Sequence, residues 1–151
     1  HYFDEEHVRR DFENADIDEA TIISCVTDDV RGFIENISQC ECIVSSSLHG
    51  VIISHAYGIP ALWMRFSEDD RIGSSSPFKF HDYFLSCGIE QYTPPVINPI
   101  KGYCEILKIL KEYEHLLSIN NFNILPLIES CPFSNSFKKY SLKSKAASYV
   151  W

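Results

Sequence analysis

The stretch at residues 42–64, CIVSSSLHGVIISHAYGIPALWM, limits the possible folds more than any other part of the chain. A short run of β-formers, CIVS at 42–45, leads through serines into a segment from Leu48 to Tyr57 that reads as a helix. Gly58 is its C-terminal stop and Pro60 lies just beyond. A second apolar run, ALWM at 61–64, follows at once. Strand, helix and strand joined by such short connections predict parallel strands with a crossover helix.

The flanking sequence extends the same pattern. TIISCV at 21–26 is an apolar, β-branched run that predicts a further buried strand. In the segment after it, Thr27 or Asp28 can cap a helix whose face carries Val30, Phe33, Ile34 and Ile37. Residues 66–79 are polar and rich in Ser and Gly, so a loop is expected there. KFHDYFLSCG reads as a short helix ended by Gly88, and Pro94, Pro95 and Pro99 keep the next stretch extended or turned. From Gly102 to Leu117, Tyr103, Ile106, Leu107, Leu110, Glu114 and Leu117 form a helical stripe with one polar member. The expected fold is α/β: a Rossmann-like parallel sheet with helices on both faces over residues 1–118, and a helical tail over 119–151.

With 151 residues, 45% hydrophobic and 23% charged, the chain can bury one good core and is not a disordered sequence. A net charge of −8 with scattered Lys and Arg argues against nucleic acid, which needs a basic face. Lys138, Lys139, Lys143 and Lys145 cluster in the tail, where the last stretch can form an amphipathic, basic helix. That helix could cross to another half of a larger protein, or lie near anionic lipid, but a solvated face is the simpler explanation of four lysines. The six cysteines include no CxxC pair and sit mostly in apolar segments, so buried free thiols in a reducing compartment are expected, and no metal site. No signal peptide or run of about 20 apolar residues is visible, which predicts a cytoplasmic chain. The opening HYFDEEHVRRDFENADIDEATIISCV has no Met and is expected to continue a longer polypeptide.

The chemistry concentrates at Ser45-Ser46-Ser47-Leu48-His49-Gly50. A serine at a helix N-cap can bond the free first-turn amides, and the helix dipole adds positive potential. Together these can form an anion site at the carboxyl edge of a parallel strand. Gly50 would let a ligand approach the backbone, and His49 would stand beside a bound anion. The same residues also describe an ordinary Ser-rich helix cap with an exposed histidine. His55, six positions on and on another face, is expected to be packed or at the surface rather than a metal partner.

CECIVSSSLHGVIISHAYGIPALWM followed by KFHDYFLSCG resembles the polysaccharide pyruvyl transferase family, and the opening HYFD resembles a stretch upstream of SSSLHG in that family. The resemblance covers about residues 1–90. It implies the C-terminal half of a GT-B-like two-domain enzyme, with the N-terminal half missing. It also implies transfer of pyruvate from phosphoenolpyruvate onto two hydroxyls of a saccharide acceptor, lipid-linked in many members, with no redox cofactor. That acceptor would draw the enzyme to the inner face of the membrane. The Leu-His pair carries over to Leu48 and His49, with Ser46, Ser47 and Gly50 in the donor-binding turn and His49 as donor contact and acid. The helix dipole favours neutral imidazole there, whereas a bound dianion favours imidazolium. Lys79 is the next donor-binding residue expected, as a phosphate clamp at the end of the loop, with a solvated lysine as the alternative. Arg65, Arg71 and His1 are weaker ones. GSSSPFKF, with Pro77, departs from the Gly-rich approach usual in the family. The rival readings are a GT-B sugar-nucleotide glycosyltransferase domain and a non-catalytic domain of the same fold.

Overall fold

A computed structural model of the chain describes residues 2–67 and 77–119, together with 125 and 130. The crossover unit is present as the sequence predicts. β1 (Ile43–Ser45) and β2 (Ala61–Trp63) are parallel, in the register Ile43 to Ala61, Val44 to Leu62 and Ser45 to Trp63. Between them runs α3 (Leu48–Ala56). Gly58 has φ 72°, a left-handed conformation that stops the helix at little cost because glycine has no Cβ. The Ile59 amide then donates to the Ser54 carbonyl at 2.9 Å and turns the chain into β2.

Side chains on β2 alternate between two cores, as the period-2 geometry of a strand requires. Ala61 and Trp63 join Val51, Phe80 and Phe84 on one face. Leu62 and Met64 join Val8, Ile97, Ile100 and Ile106 on the other. α3 and α4 (Pro77–Cys87) therefore cover the first face, and α1 (Tyr2–Asn14) and α5 (Tyr103–Glu112) the second. Helices on both faces of a parallel sheet are borne out at this scale: two strands and five α-helices among the described residues.

The second edge of β2 is closed by mixed partners. The Ala61 amide donates to the Leu117 carbonyl at 2.7 Å, and the Arg65 amide to the Pro95 carbonyl at 2.9 Å. Between them the Trp63 amide donates to the Tyr92 hydroxyl at 2.8 Å, and that hydroxyl donates back to the Trp63 carbonyl at 3.3 Å. Burial pushes the Tyr92 phenol well above its ordinary range, so the hydroxyl keeps its proton. Residues 91–100 are extended or turned, as their prolines require, and Val96 forms a parallel bridge with Arg65.

Several expectations are corrected. Residues 21–26 form no strand. The Ser24 hydroxyl accepts the Val26 amide at 3.2 Å and donates to Glu5, and this local bonding turns the backbone away from a ladder. The cap of α2 (Val30–Ser38) is Asp29 rather than Thr27 or Asp28: its Oδ1 accepts the Gly32 amide at 2.9 Å, and Thr27 instead accepts the Asp29 amide. α1 occupies a region in which no element was expected. The helix expected to reach Leu117 ends at Glu112, where a 3-10 turn (Glu114–Leu116) takes over. In its stripe Leu107 is 44% exposed, while Ile109 packs inward.

The thiol expectation holds only in part. The described cysteines are free, yet Cys87 alone is buried, while Cys25 and Cys104 are exposed and Cys40 and Cys42 half-buried. Burial pushes the Cys42 thiol up to about 11 and raises Cys40, so neither is a thiolate at neutral pH. Cys131, residues 68–76 and Lys138, Lys139, Lys143 and Lys145 lie outside the described residues, and with them most of the expected loop and tail. No described helix is long and apolar enough to cross a membrane.

Candidate active site

The serine turn stands at the carboxyl end of β1. Ser47 has the extended backbone of an N-cap, φ −106° and ψ 132°, but its own hydroxyl makes no capping bond. The working hydroxyl belongs to Ser45: it accepts the Ser47 amide at 3.1 Å and donates to the Ser47 carbonyl at 3.0 Å. The Val51 amide closes the first helical turn onto the Ser47 carbonyl at 3.3 Å. Leu48, His49 and Gly50 are then the first-turn residues whose amides lack an acceptor within the helix.

Gly50 has a packing reason beside the one expected. A Cβ at this position would meet the Ser45 Cβ at 3.0 Å and the Ser45 hydroxyl closer still. The missing side chain thus makes room for Ser45, and Gly50 is buried against the strand end. Ser54 adds a second lock, donating to the Gly50 carbonyl at 2.7 Å.

The structure brings Ser46, Ser47, Leu48, His49 and Gly50 into one turn. Ser46 and Ser47 are buried, at 7% and 9% exposure. Leu48 is half-buried against the core of Val51, Trp63 and Phe80. His49 is exposed.

Lys79 is not joined to this turn. It is exposed in the first turn of α4, and no hydrogen bond or ion pair links it to the turn among the described residues. The neighbours of Lys79 explain how α4 is seated. Phe80 stacks on Trp63, ring centroids 3.9 Å apart and planes 9° from parallel. Tyr83 reaches His55, whose Nδ1 lies 3.0 Å from the phenol oxygen, while Nε2 lies 3.1 Å from the Leu117 carbonyl. A carbonyl can only accept, so Nε2 carries the proton and Nδ1 accepts from the Tyr83 hydroxyl. His55 is 4% exposed, and burial lowers its pKa, which keeps it neutral. It is a packed histidine, and it lies about 9 Å along the helix axis from His49. Arg65 serves β2 through its backbone, and its side chain is half-buried. His1 and Arg71 lie outside the described residues.

One contributor was not legible in the sequence. A cavity of about 120 Å³ opens between the serine turn and α1, lined by Glu5, Val8, Phe12, residues 21–23, Cys25, Val44, Ser45, Ser46, Phe66 and Ile106. Glu5 Oε2 accepts the Ser24 hydroxyl at 2.7 Å, and Oε1 accepts from Arg9 at 2.8 Å. Among the described residues no group of His, Cys, Asp and Glu is placed to hold a metal.

An α/β unit with a helix N-terminus at the carboxyl end of a parallel strand is the class that this geometry defines, and that end is where such units generally bind ligands. Polysaccharide pyruvyl transferase is the family whose model matches, over residues 2–68, and it is a family of transferases. The match takes in α1, the serine turn and β2 and bears out the resemblance over that span; Lys79 and Tyr83 fall outside it. An uncharacterized protein of Acanthamoeba polyphaga mimivirus is 33% identical over 150 residues. That alignment takes in 99% of the present chain and 47% of the relative, so the chain spans about half the length of the curated relative it matches. No solved structure matches.

Proposed function

We propose that the chain is the C-terminal, donor-binding half of a Rossmann-like, GT-B-like pyruvyl transferase, acting on phosphoenolpyruvate and a saccharide acceptor. The observation that carries this reading is the exposed His49, on the first turn of a helix at the carboxyl end of β1, inside the span that the family model matches. First-turn amides and the helix dipole suit the phosphate and carboxylate of such a donor.

In the proposed reaction C3 of the enol takes a proton, for which His49 is the acid. C2 becomes electrophilic, and one sugar hydroxyl adds there, giving its proton to a base. The C2–O bond to phosphate breaks, and the second hydroxyl adds to C2 to close the ketal, passing its proton to the departing phosphate. Overall one phosphate leaves and two C–O bonds form. Leu48, half-buried against the core, fixes the pitch of the turn, while Ser46, Ser47 and Gly50 shape its backbone. Lys79 would need to approach with the substrate as a phosphate clamp. No metal or redox cofactor is required by this chemistry. A cytoplasmic site at the inner face of the membrane, where lipid-linked glycans are assembled, suits these substrates.

Thermal unfolding of the protein with phosphoenolpyruvate, with UDP-sugars and with neither tests the reading. Phosphoenolpyruvate at a hundred times its Kd should stabilise by about 2.7 kcal/mol. His49→Ala should remove that increment and leave the ligand-free melting temperature in place, since the side chain is exposed. An undiminished response in His49→Ala refutes the assignment. Stabilisation by a UDP-sugar instead points to the glycosyltransferase, and by neither ligand to a non-catalytic domain.

A further inference from the structure

The cavity between α1 and the serine turn carries the wrong charge for a phosphate. First the Ser24 hydroxyl and then the Arg9 guanidinium hold the Glu5 carboxyl below the usual carboxylate range, so it is ionised at neutral pH. Arg9 is half exposed, grips Oε1 from outside and does not line the cavity. Oε1 accepts from both Nε and Nη2 of Arg9, at 3.2 and 2.8 Å, whereas Oε2 accepts only the Ser24 hydroxyl among the described residues and keeps a lone pair for a donor from a ligand.

The facing wall is main chain. Ile43 and Ser45 turn their backbone groups toward β2: the Ile43 amide donates to Pro60, and the Ser45 carbonyl accepts from Met64. Val44, between them, must turn its N–H and C=O to the opposite edge, where no strand pairs with it among the described residues. Val44 lines the cavity, with Val8, Phe12, Phe66 and Ile106 supplying apolar surface. An ionised acceptor, a backbone donor and acceptor, and an apolar wall match a ring that has hydroxyls on its rim and C–H groups on its face. An anionic ligand would set like charges against each other here.

We propose that this cavity is a hydroxyl-binding subsite for a pyranose, in which the Glu5 carboxylate and the Val44 backbone hold the ring edge against Phe12 and Val8. The subsite adjoins the N-terminus of α3 through Ser45 and Ser46 but contains neither Leu48 nor His49. Naming the bound sugar as the acceptor rests on the pyruvyl transferase reading, whereas the binding itself does not.

The test is amide NMR of the protein during titration with methyl glucopyranoside, methyl galactopyranoside and methyl mannopyranoside, and separately with inorganic phosphate and phosphoenolpyruvate. At least one pyranoside should move the amides of residues 21–25 and 44–46 saturably, while phosphate leaves them in place. Glu5→Gln should weaken that pyranoside about tenfold, the effect of losing a charged hydrogen-bond acceptor. The proposal is overturned by no response to any pyranoside, by an equal response of these amides to phosphate, or by unchanged binding in Glu5→Gln. Should Glu5→Gln unfold, the shift map of the unsubstituted protein decides alone. A response to phosphoenolpyruvate at residues 48–50 without any to pyranosides would keep the donor reading and overturn this one, and the reverse pattern would do the opposite.

Discussion

Replacing Gly50 by Ala separates two reasons for a glycine in the first turn of α3. On an open helical surface the change gains about 1 kcal/mol, because alanine has the better helix propensity. Here the new Cβ runs into Ser45, whose Cβ would lie at 3.0 Å with its hydroxyl nearer still. Moving Ser45 strains a packed strand end by about 1–3 kcal/mol. It also gives up two hydrogen bonds to Ser47, each contributing about 1 kcal/mol. The net expectation is a destabilisation of about 2–4 kcal/mol, a fall in melting temperature of about 5–15 °C for a chain of this size. Calorimetry or circular dichroism on Gly50→Ala, Ser45→Ala and the double variant reads it. The double variant should lose less than the two single losses added together, because the Ser45 hydroxyl is the nearest obstacle and is already gone. A more stable Gly50→Ala would refute the reasoning and return this glycine to the role of admitting a ligand.

Two further outcomes follow from the seating of α4. His55 has a lowered pKa in the folded chain, so the unfolded chain binds the proton first; stability is full above the ordinary histidine pKa of about 6.5 and falls as pH drops below it toward the folded value. Urea unfolding midpoints between pH 7.5 and 5 should show this step, His55→Gln should lack it, and identical profiles would contradict it. Phe80→Ala removes a fully buried ring from its stack on Trp63 and should cost about 3–5 kcal/mol; a urea-measured loss below about 1 kcal/mol would mean that the stack contributes little.

The βαβ unit was readable because its signals are local. Apolar runs flank a helix that a glycine ends, and each of these features acts within a few residues of itself. The capping turn was readable in position but not in chemistry, since Ser45, Ser46 and Ser47 are the same residue type and only the fold decides which hydroxyl faces the Ser47 amide. TIISCV has the composition of a strand, yet a strand exists only through its partner, and the Ser24 hydroxyl draws the segment to Glu5 instead. α1 went unread because its inward residues, Val8 and Phe12, are sparse among charges. Its placement also relies on a distant bond, the Ile100 amide donating to Asp11 Oδ2 at 2.8 Å. Glu5 entered the cavity wall for the same reason. His55 was expected to be packed or superficial, but its partner Tyr83 is 28 positions away, a distance that no local pattern spans.

Tyr92 stands in for a strand. Its hydroxyl both takes the amide and serves the carbonyl of Trp63, doing with one oxygen what a neighbouring backbone would do with two groups. A backbone partner can be traded for another by sliding one residue along, whereas this oxygen has a single place to be. Together with the Leu117 and Pro95 carbonyls on the same edge, this phenol keys the β2 register from the side. In hydrogen exchange, the Trp63 amide becomes a reporter on the docking of residues 89–100 rather than on the opening of the β1–β2 ladder.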